Sequence, residues 1–428
     1  MSPLAHLACA RYGLLGLSLA FVAMPLYVVL PQHYGQTLGV SLSALGAVLL
    51  LTRLADAFID PVLGRWADRL LQHPRQAAAA TVGSVCLLGL GFALLFFPPV
   101  QGQAALLAWC AAAMVLTFLA FSLASVLHLA WGTRLGGDVG QRSRLVAWRE
   151  GFGLFGVLLA NVLATQAGLH WTTGVLWSAL ALGAWALLSG PRPPPAEANA
   201  SGEALGDSPG DSAVARPSLT LPWRGEGFRR LITLFLVNGI ASAIPATLVL
   251  FFIQDRLVAL EWAPLFLGLY FLFAALGVPW WVRLIGRIGP MRAWALGMLL
   301  SLLSFVGVMA LGEGDRIAYL LICLAGGFAL GADLTVPGTL LTGVVQRSGH
   351  AGQAEGAYAG WWQWATKLNL ALAAGLALPA LEALGYSPGV RSEQALTALT
   401  LAYGGLPLVF KSIALAACWR WRHHPALA

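Results

Sequence analysis

The sequence predicts an all-α integral membrane protein: twelve transmembrane helices in two six-helix halves. Three observations lead there. Of the 428 residues, 58% are hydrophobic and only 10% are charged, with a mean hydropathy of +0.76, whereas ordinary soluble domains carry about a quarter charged residues. Apolar runs long enough to cross a bilayer, about 20 residues each, recur along the chain. Finally, the arginines collect in every second break between those runs.

The runs lie near residues 9–31, 42–66, 77–98, 103–131, 144–167 and 171–190, and then near 229–253, 262–285, 291–312, 316–344, 355–384 and 395–419. They are continuous, unlike the short alternating segments of a transmembrane β-barrel. Leu7-Ala8-Cys9-Ala10 has the small residues of a cleavage site, but the long apolar run follows Arg11, so the first run is expected to be an uncleaved span.

Between the sixth and seventh runs, Pro191-Arg192-Pro193-Pro194-Pro195 opens a stretch of Ala, Gly, Ser, Asp and Glu without apolar periodicity. A flexible linker at 191–228 is therefore expected between a first half at 1–190 and a second at 229–428. Fifteen arginines occupy the breaks on the linker's side, and the C-terminal tail adds Arg420 and Arg422. The opposite breaks hold only Arg256, Arg316 and Arg391. The positive-inside rule then puts both termini and the linker in the cytoplasm of a plasma (bacterial inner) membrane.

Composition also narrows the function. A net charge of +7 would suggest nucleic acid in a soluble chain, but the basic residues are scattered between spans, and no nucleic-acid partner is expected. Five cysteines without a CxxC spacing point to neither a disulfide framework nor a zinc site. There is no GxSxG elbow, metal-ligand cluster or Gly-rich phosphate loop, so an enzyme is not expected, and a sensor would normally carry a soluble signalling domain.

The informative residues are charges at membrane depth, where each costs several kcal/mol without a partner. The second run carries Arg53, Asp56 and Asp60 on one helical face, followed by Pro61. A proline there leaves the carbonyl of Ala57 without its helical partner. Two carboxylates and a free carbonyl suit sodium, and two neighbouring acids equally suit a proton. The competing reading is an Arg53–Asp56 pair that only fixes packing.

The fifth run carries Arg149 beside Glu150, on a face of small residues. The eleventh carries Lys367, one of only two lysines, on the face of Gly360 and Trp364. Lys367 is expected to meet the acids of the second run. Trp364 is expected in the cavity, with Tyr358 as a further substrate contact. Asp333, four residues before Pro337, is expected in a broken tenth helix, as a substrate residue or as the counter-ion of a base. Gly64, Asp68 and Arg69 end the second run as G-x-x-x-D-R, a pattern suited to a cytoplasmic latch.

With these residues in hand, the chain resembles the glycoside-pentoside-hexuronide:cation symporters, the family of melibiose permease within the major facilitator superfamily. The resemblance covers most of the chain. Arg53 to Gly64 resembles the family's R-x-x-D-A-x-x-D-P-x-x-G, Gln141 to Arg149 its E-R-x-x-L-x-x-x-R, and Glu355 to Lys367 its E-G-x-x with a following lysine. The resemblance implies that Asp56 and Asp60 hold the cation, and it supports Arg149 and Lys367. It departs where sugar-binding relatives carry acids: Leu19 and Ala20 follow Tyr12-Gly13, Ser125 stands in helix four, and Thr342 to Gln346 replaces A-D-V-I-D.

The expected function is cation-coupled symport of a small, sugar-like or glycoside-like solute by alternating access, as a monomer in lipid. No cofactor is expected beyond the coupling ion, sodium or a proton. The alternative is an anionic or lipid-like solute, since Arg53, Arg149 and Lys367 outnumber Asp56 and Asp60.

Overall fold

The computed structural model describes residues 4–192, 219–386 and 391–427; within them the side chain of Arg53 and some others lie outside the described residues. Every described element is helical. Twelve rods account for the fold: α1 (His6–Met24), α2 (Leu42–Leu71), α3 (Pro74–Phe96), α4 (Gln103–Leu135), α5 (Val139–Val162) and α6 (Leu169–Ser189). After the linker come α7 (Glu226–Phe251), α8 (Ala263–Ile288), α9 (Pro290–Val308), α10 (Arg316–Arg347), α11 (Glu355–Ala383) and α12 (Glu393–Trp421). In a bilayer a helix satisfies its own backbone hydrogen bonds, which is why apolar runs of this length take no other form.

By length and composition, ten of these rods are suited to cross a membrane; α2 and α11 are as long and carry Asp56, Asp60 and Lys367 on the way. Two boundaries differ from expectation. The helix α7 starts at Glu226, so the last three residues assigned to the linker are helical, and a short helix at Leu221–Arg224 precedes it; residues 193–218 lie outside the described residues. The helix α10 is not broken at Pro337 but continues through it.

Each half repeats one packing scheme. In the first, α1 packs on α5 and α6, α4 on α2 and α3, and α3 on α6; in the second, α7 packs on α11 and α12, α10 on α8 and α9, and α9 on α12. The halves meet through α2 with α11 and α8 with α5, and through α4 with α11 and α10 with α5. Exchanging the halves exchanges these contacts, the signature of internal repeats.

Lipid is as apolar as Leu, so close packing holds such helices together more than hydrophobic burial does. Small residues therefore sit where helices cross most closely, the crossing of α2 and α11 among them. A Cβ on Gly64 would collide with the backbone carbonyl of Gly356, and one on Gly360 with that of Asp60. The crossing of α2 and α11 thus requires glycine, and it brings the charged stretch of α2 against α11. Outward-facing Phe58, Trp171, Trp185 and Leu303 remain exposed, as a lipid-contacting surface requires.

Candidate functional site

Asp56 and Asp60 are one helical turn apart on α2, and both are buried. The crossing with α11 carries Lys367 between them: its Nζ lies 2.6 Å from Asp56 Oδ2 and 2.8 Å from Asp60 Oδ2. It also donates to Asp60 Oδ1 at 3.0 Å and to Ser122 Oγ of α4 at 2.8 Å. Ser122 in turn donates to Asp56 Oδ1 at 2.7 Å. The lysine meets the helix-two acids as its position in the sequence suggested. Asp60 Oδ2, although close to the ammonium, accepts no well-aligned hydrogen bond. Two carboxylates against one ammonium leave these groups one negative charge in excess.

Arg53 lies on the same helix, but its side chain is outside the described residues. Arg149 pairs with its neighbour Glu150 and lies beside Tyr12 of α1. Trp364 is partly buried and meets Trp361 edge to face, at 5.4 Å between ring centres. Tyr358 is not on the Lys367 surface: it is fully buried at the start of α11, where His350 Nδ1 lies 2.8 Å from its hydroxyl and Phe228 packs on its ring. Nine residues separate it from Lys367, so the two lie at different depths along the helix.

Asp333 is the counter-ion of a base that sequence reasoning passed over. Lys411, the second lysine of the chain, reaches it from α12 at 2.6 Å. Asn238 and Trp294 donate to Asp333 Oδ1 at 3.0 and 2.8 Å. The signal was present, because Lys411 stands within an apolar run. Ser122 had no comparable signal, since one hydroxyl in a span is ordinary.

The latch residues divide. Asp68 accepts from the backbone N–H groups of Gly356 at 2.5 Å and Ala357 at 2.9 Å. A carboxylate from one half thereby caps the positive N-terminus of a helix from the other. Gly64 makes the close approach, but Arg69 is exposed. The basic partner is Arg134 of α4, which pairs with buried Glu355 at 3.3 Å and donates to the carbonyls of Leu71 and Gly352, each at 2.6 Å. Arg69 follows Asp68 directly, so its side chain leaves the helix in another direction. The halves are thereby joined at the end of the bundle that bears the loop between α10 and α11. Among the described residues no group of three or more His, Cys, Asp or Glu is set to hold a metal ion.

Comparison with known proteins places this geometry. The family model described as MFS/sugar transport protein matches residues 11–423. No curated protein sequence matches the chain significantly. Among solved structures, a variant of the E. coli fucose:proton symporter FucP is similar with a TM-score of 0.67 at 13% identity, covering 95% of this chain and 97% of that one. A bacterial homologue of the iron transporter ferroportin, in an outward-facing state, is similar with a TM-score of 0.68 at 14% identity, covering 97% and 98%. At such identities the likeness concerns the fold alone: two six-helix halves of the major facilitator type. The chain belongs to the MFS/sugar transport protein family and is a multi-pass membrane transporter, not an enzyme.

Proposed function

We propose that the protein is a symporter of the melibiose-permease type, coupling one monovalent cation, sodium or a proton, to a small sugar-like or glycoside-like solute. The observation that carries this reading is Lys367 of the second half held between Asp56 and Asp60 of the first. Among the described side chains, two carboxylates against one ammonium leave a negative charge that one cation would match. Its groups come from both halves, so filling it alters the attraction between the bodies that alternate. A cation with different affinity for the two arrangements shifts their populations, which is what coupling requires. In the empty carrier, Lys367 occupies the acid site.

By the positive-inside rule the joined end is cytoplasmic, in a bacterial inner membrane, and this arrangement then faces outward. The protein acts as a monomer in lipid, without a cofactor beyond the coupling ion. The charge count that favoured an anionic solute is offset by Glu150, which pairs with Arg149.

The test is uptake into proteoliposomes of labelled melibiose, glucuronate and a lysophospholipid, each under a sodium or a proton gradient. Gradient-dependent accumulation of at least one is expected in wild type and lost in both Asp56→Asn and Asp60→Asn. Full accumulation in both variants would reject the ion-coupling role. Sodium is the ion if it stabilises wild type, but not Asp60→Asn, at constant pH.

A further inference from the structure

A cavity of about 350 Å³ lies inside the second half, with walls from α7, α8, α9, α10 and α12. It reaches Ser242, Asp333 and Lys411, and its remaining walls are largely apolar, with Tyr270, Phe305 and Tyr319 among them. The volume falls within the roughly 300–1,000 Å³ of small-molecule pockets. The cluster of Asp56, Asp60 and Lys367 contributes nothing to these walls.

Polar bookkeeping within the cavity narrows what it takes. Asp333 Oδ1 accepts from Asn238 and Trp294, and Oδ2 accepts from Lys411 at 2.6 Å; the one hydrogen of Ser242 Oγ is shared between Oδ2 at 3.3 Å and the carbonyl of Asn238 at 3.2 Å. Oδ1 thus has two donors, and Oδ2 has the ammonium and a share of the Ser242 hydroxyl, so little of the carboxylate's capacity is open. Lys411 donates to Asp333 and, at 3.1 Å, to Ser242 Oγ. An ammonium has three N–H bonds, so one remains, and Lys411 lines the cavity. The site thus offers a donor, while its carboxylate is largely taken up by its own partners. Charge sets the second constraint. Lys411 and Asp333 are mutually neutral, and a charged ligand would bring an uncompensated charge into a low-dielectric interior.

We infer that this cavity is a binding site for a neutral, mainly apolar molecule carrying one hydrogen-bond-accepting oxygen, such as an aryl ketone, whose oxygen takes the free N–H of Lys411. The site is separate from the ion-linked cluster, and the inference does not depend on that cluster's role.

The experiment is photolabelling of the purified full-length protein with para-phenylbenzophenone, an aryl ketone that inserts into nearby C–H bonds under near-ultraviolet light, followed by peptide mapping. The principal adducts are expected on the cavity-lining side chains of Val249, Leu267, Phe271, Leu302, Phe305 or Ile322. Leu302→Trp, which fills the cavity, should remove most of this labelling. The charge-balanced pair Asp333→Asn with Lys411→Met should weaken it about tenfold, the equivalent of losing one charge-assisted hydrogen bond. The neutral ketone para-acetylbiphenyl should compete, and its near-isostere biphenyl-para-carboxylate should compete about tenfold less well. Asp60→Asn should label like wild type. Adducts spread over lipid-facing residues such as Leu303 and Val306, or labelling unchanged in Leu302→Trp, would overturn the site. Unchanged labelling in a folded charge-balanced pair would overturn the role of Lys411, and equal competition by the carboxylate would overturn the neutral class. Loss of labelling in Asp60→Asn would overturn the separation from the ion-linked cluster.

Discussion

Lys367 Nζ stands 2.6 Å from Asp56 Oδ2, an ion pair that joins the second half of the molecule to the first. Because Asp60 shares the same ammonium, one side chain neutralises part of a two-carboxylate cluster across the surface where the halves meet. A contact of this kind resists separation of the halves while it lasts.

Removing the lysine should therefore be costly. Lys367→Ala leaves two buried carboxylates without their cation, and such a change typically costs about 3–5 kcal/mol. The double change with Asp60→Asn should recover part of that loss. Thermal unfolding in detergent of the two single variants and the double supplies the cycle, and strictly additive losses would show that the residues do not interact.

The glycine crossing makes a second expectation. Gly64→Val puts a branched side chain against the backbone of Gly356, so the interlocked arrangement should become disfavoured while each half remains folded. With Cys86 replaced by Ser, a cysteine introduced at Ala354, which is fully buried, should react with a water-soluble maleimide faster in Gly64→Val than without it. Equal rates would mean that the crossing does not hold this end closed.

His350 lies in the loop between α10 and α11, where burial lowers its pKa and the carboxylate of Glu355 opposes that shift only in part. A histidine with a depressed folded-state pKa binds fewer protons when folded than when unfolded. Its contribution to stability is therefore full above the unfolded value of about 6.5 and is lost as pH falls through that value toward the folded one. Between pH 7.5 and 5.5, roughly one unit either side of that value, wild type should lose more thermal stability than His350→Gln. Parallel pH profiles would remove His350 from the account.

At the opposite end of the bundle, Tyr386 donates its hydroxyl to buried Asp255 at 2.5 Å. Tyr386→Phe keeps the ring and deletes the bond, which should lower unfolding stability by about 1–3 kcal/mol. A melting temperature within error of wild type would show that Asp255 finds an equivalent donor.

The spans, the repeat of six and the expectation of an α2–α11 pairing were legible in the sequence, because they follow from local facts. A bilayer demands about 20 apolar residues per crossing, and a charge at that depth demands a partner. Asp56, Asp60 and Lys367 could thus be matched by elimination: few charges stand at membrane depth. Tertiary structure decided what no local pattern encodes. Ser122 enters the cluster only because α4 packs against both α2 and α11. Arg134 takes the latch role expected of Arg69 because it reaches Glu355 from another helix, a relation between residues 221 positions apart. Tyr358, expected as a substrate contact, is buried at the start of α11 because loop residue His350 folds back on it. Lys411 was visible as a buried charge, but its partner depended on how α10 and α12 face each other. Hydropathy and charge are properties of a segment and survive in one dimension; which faces of distant helices meet is set by packing, which single-chain periodicity does not record.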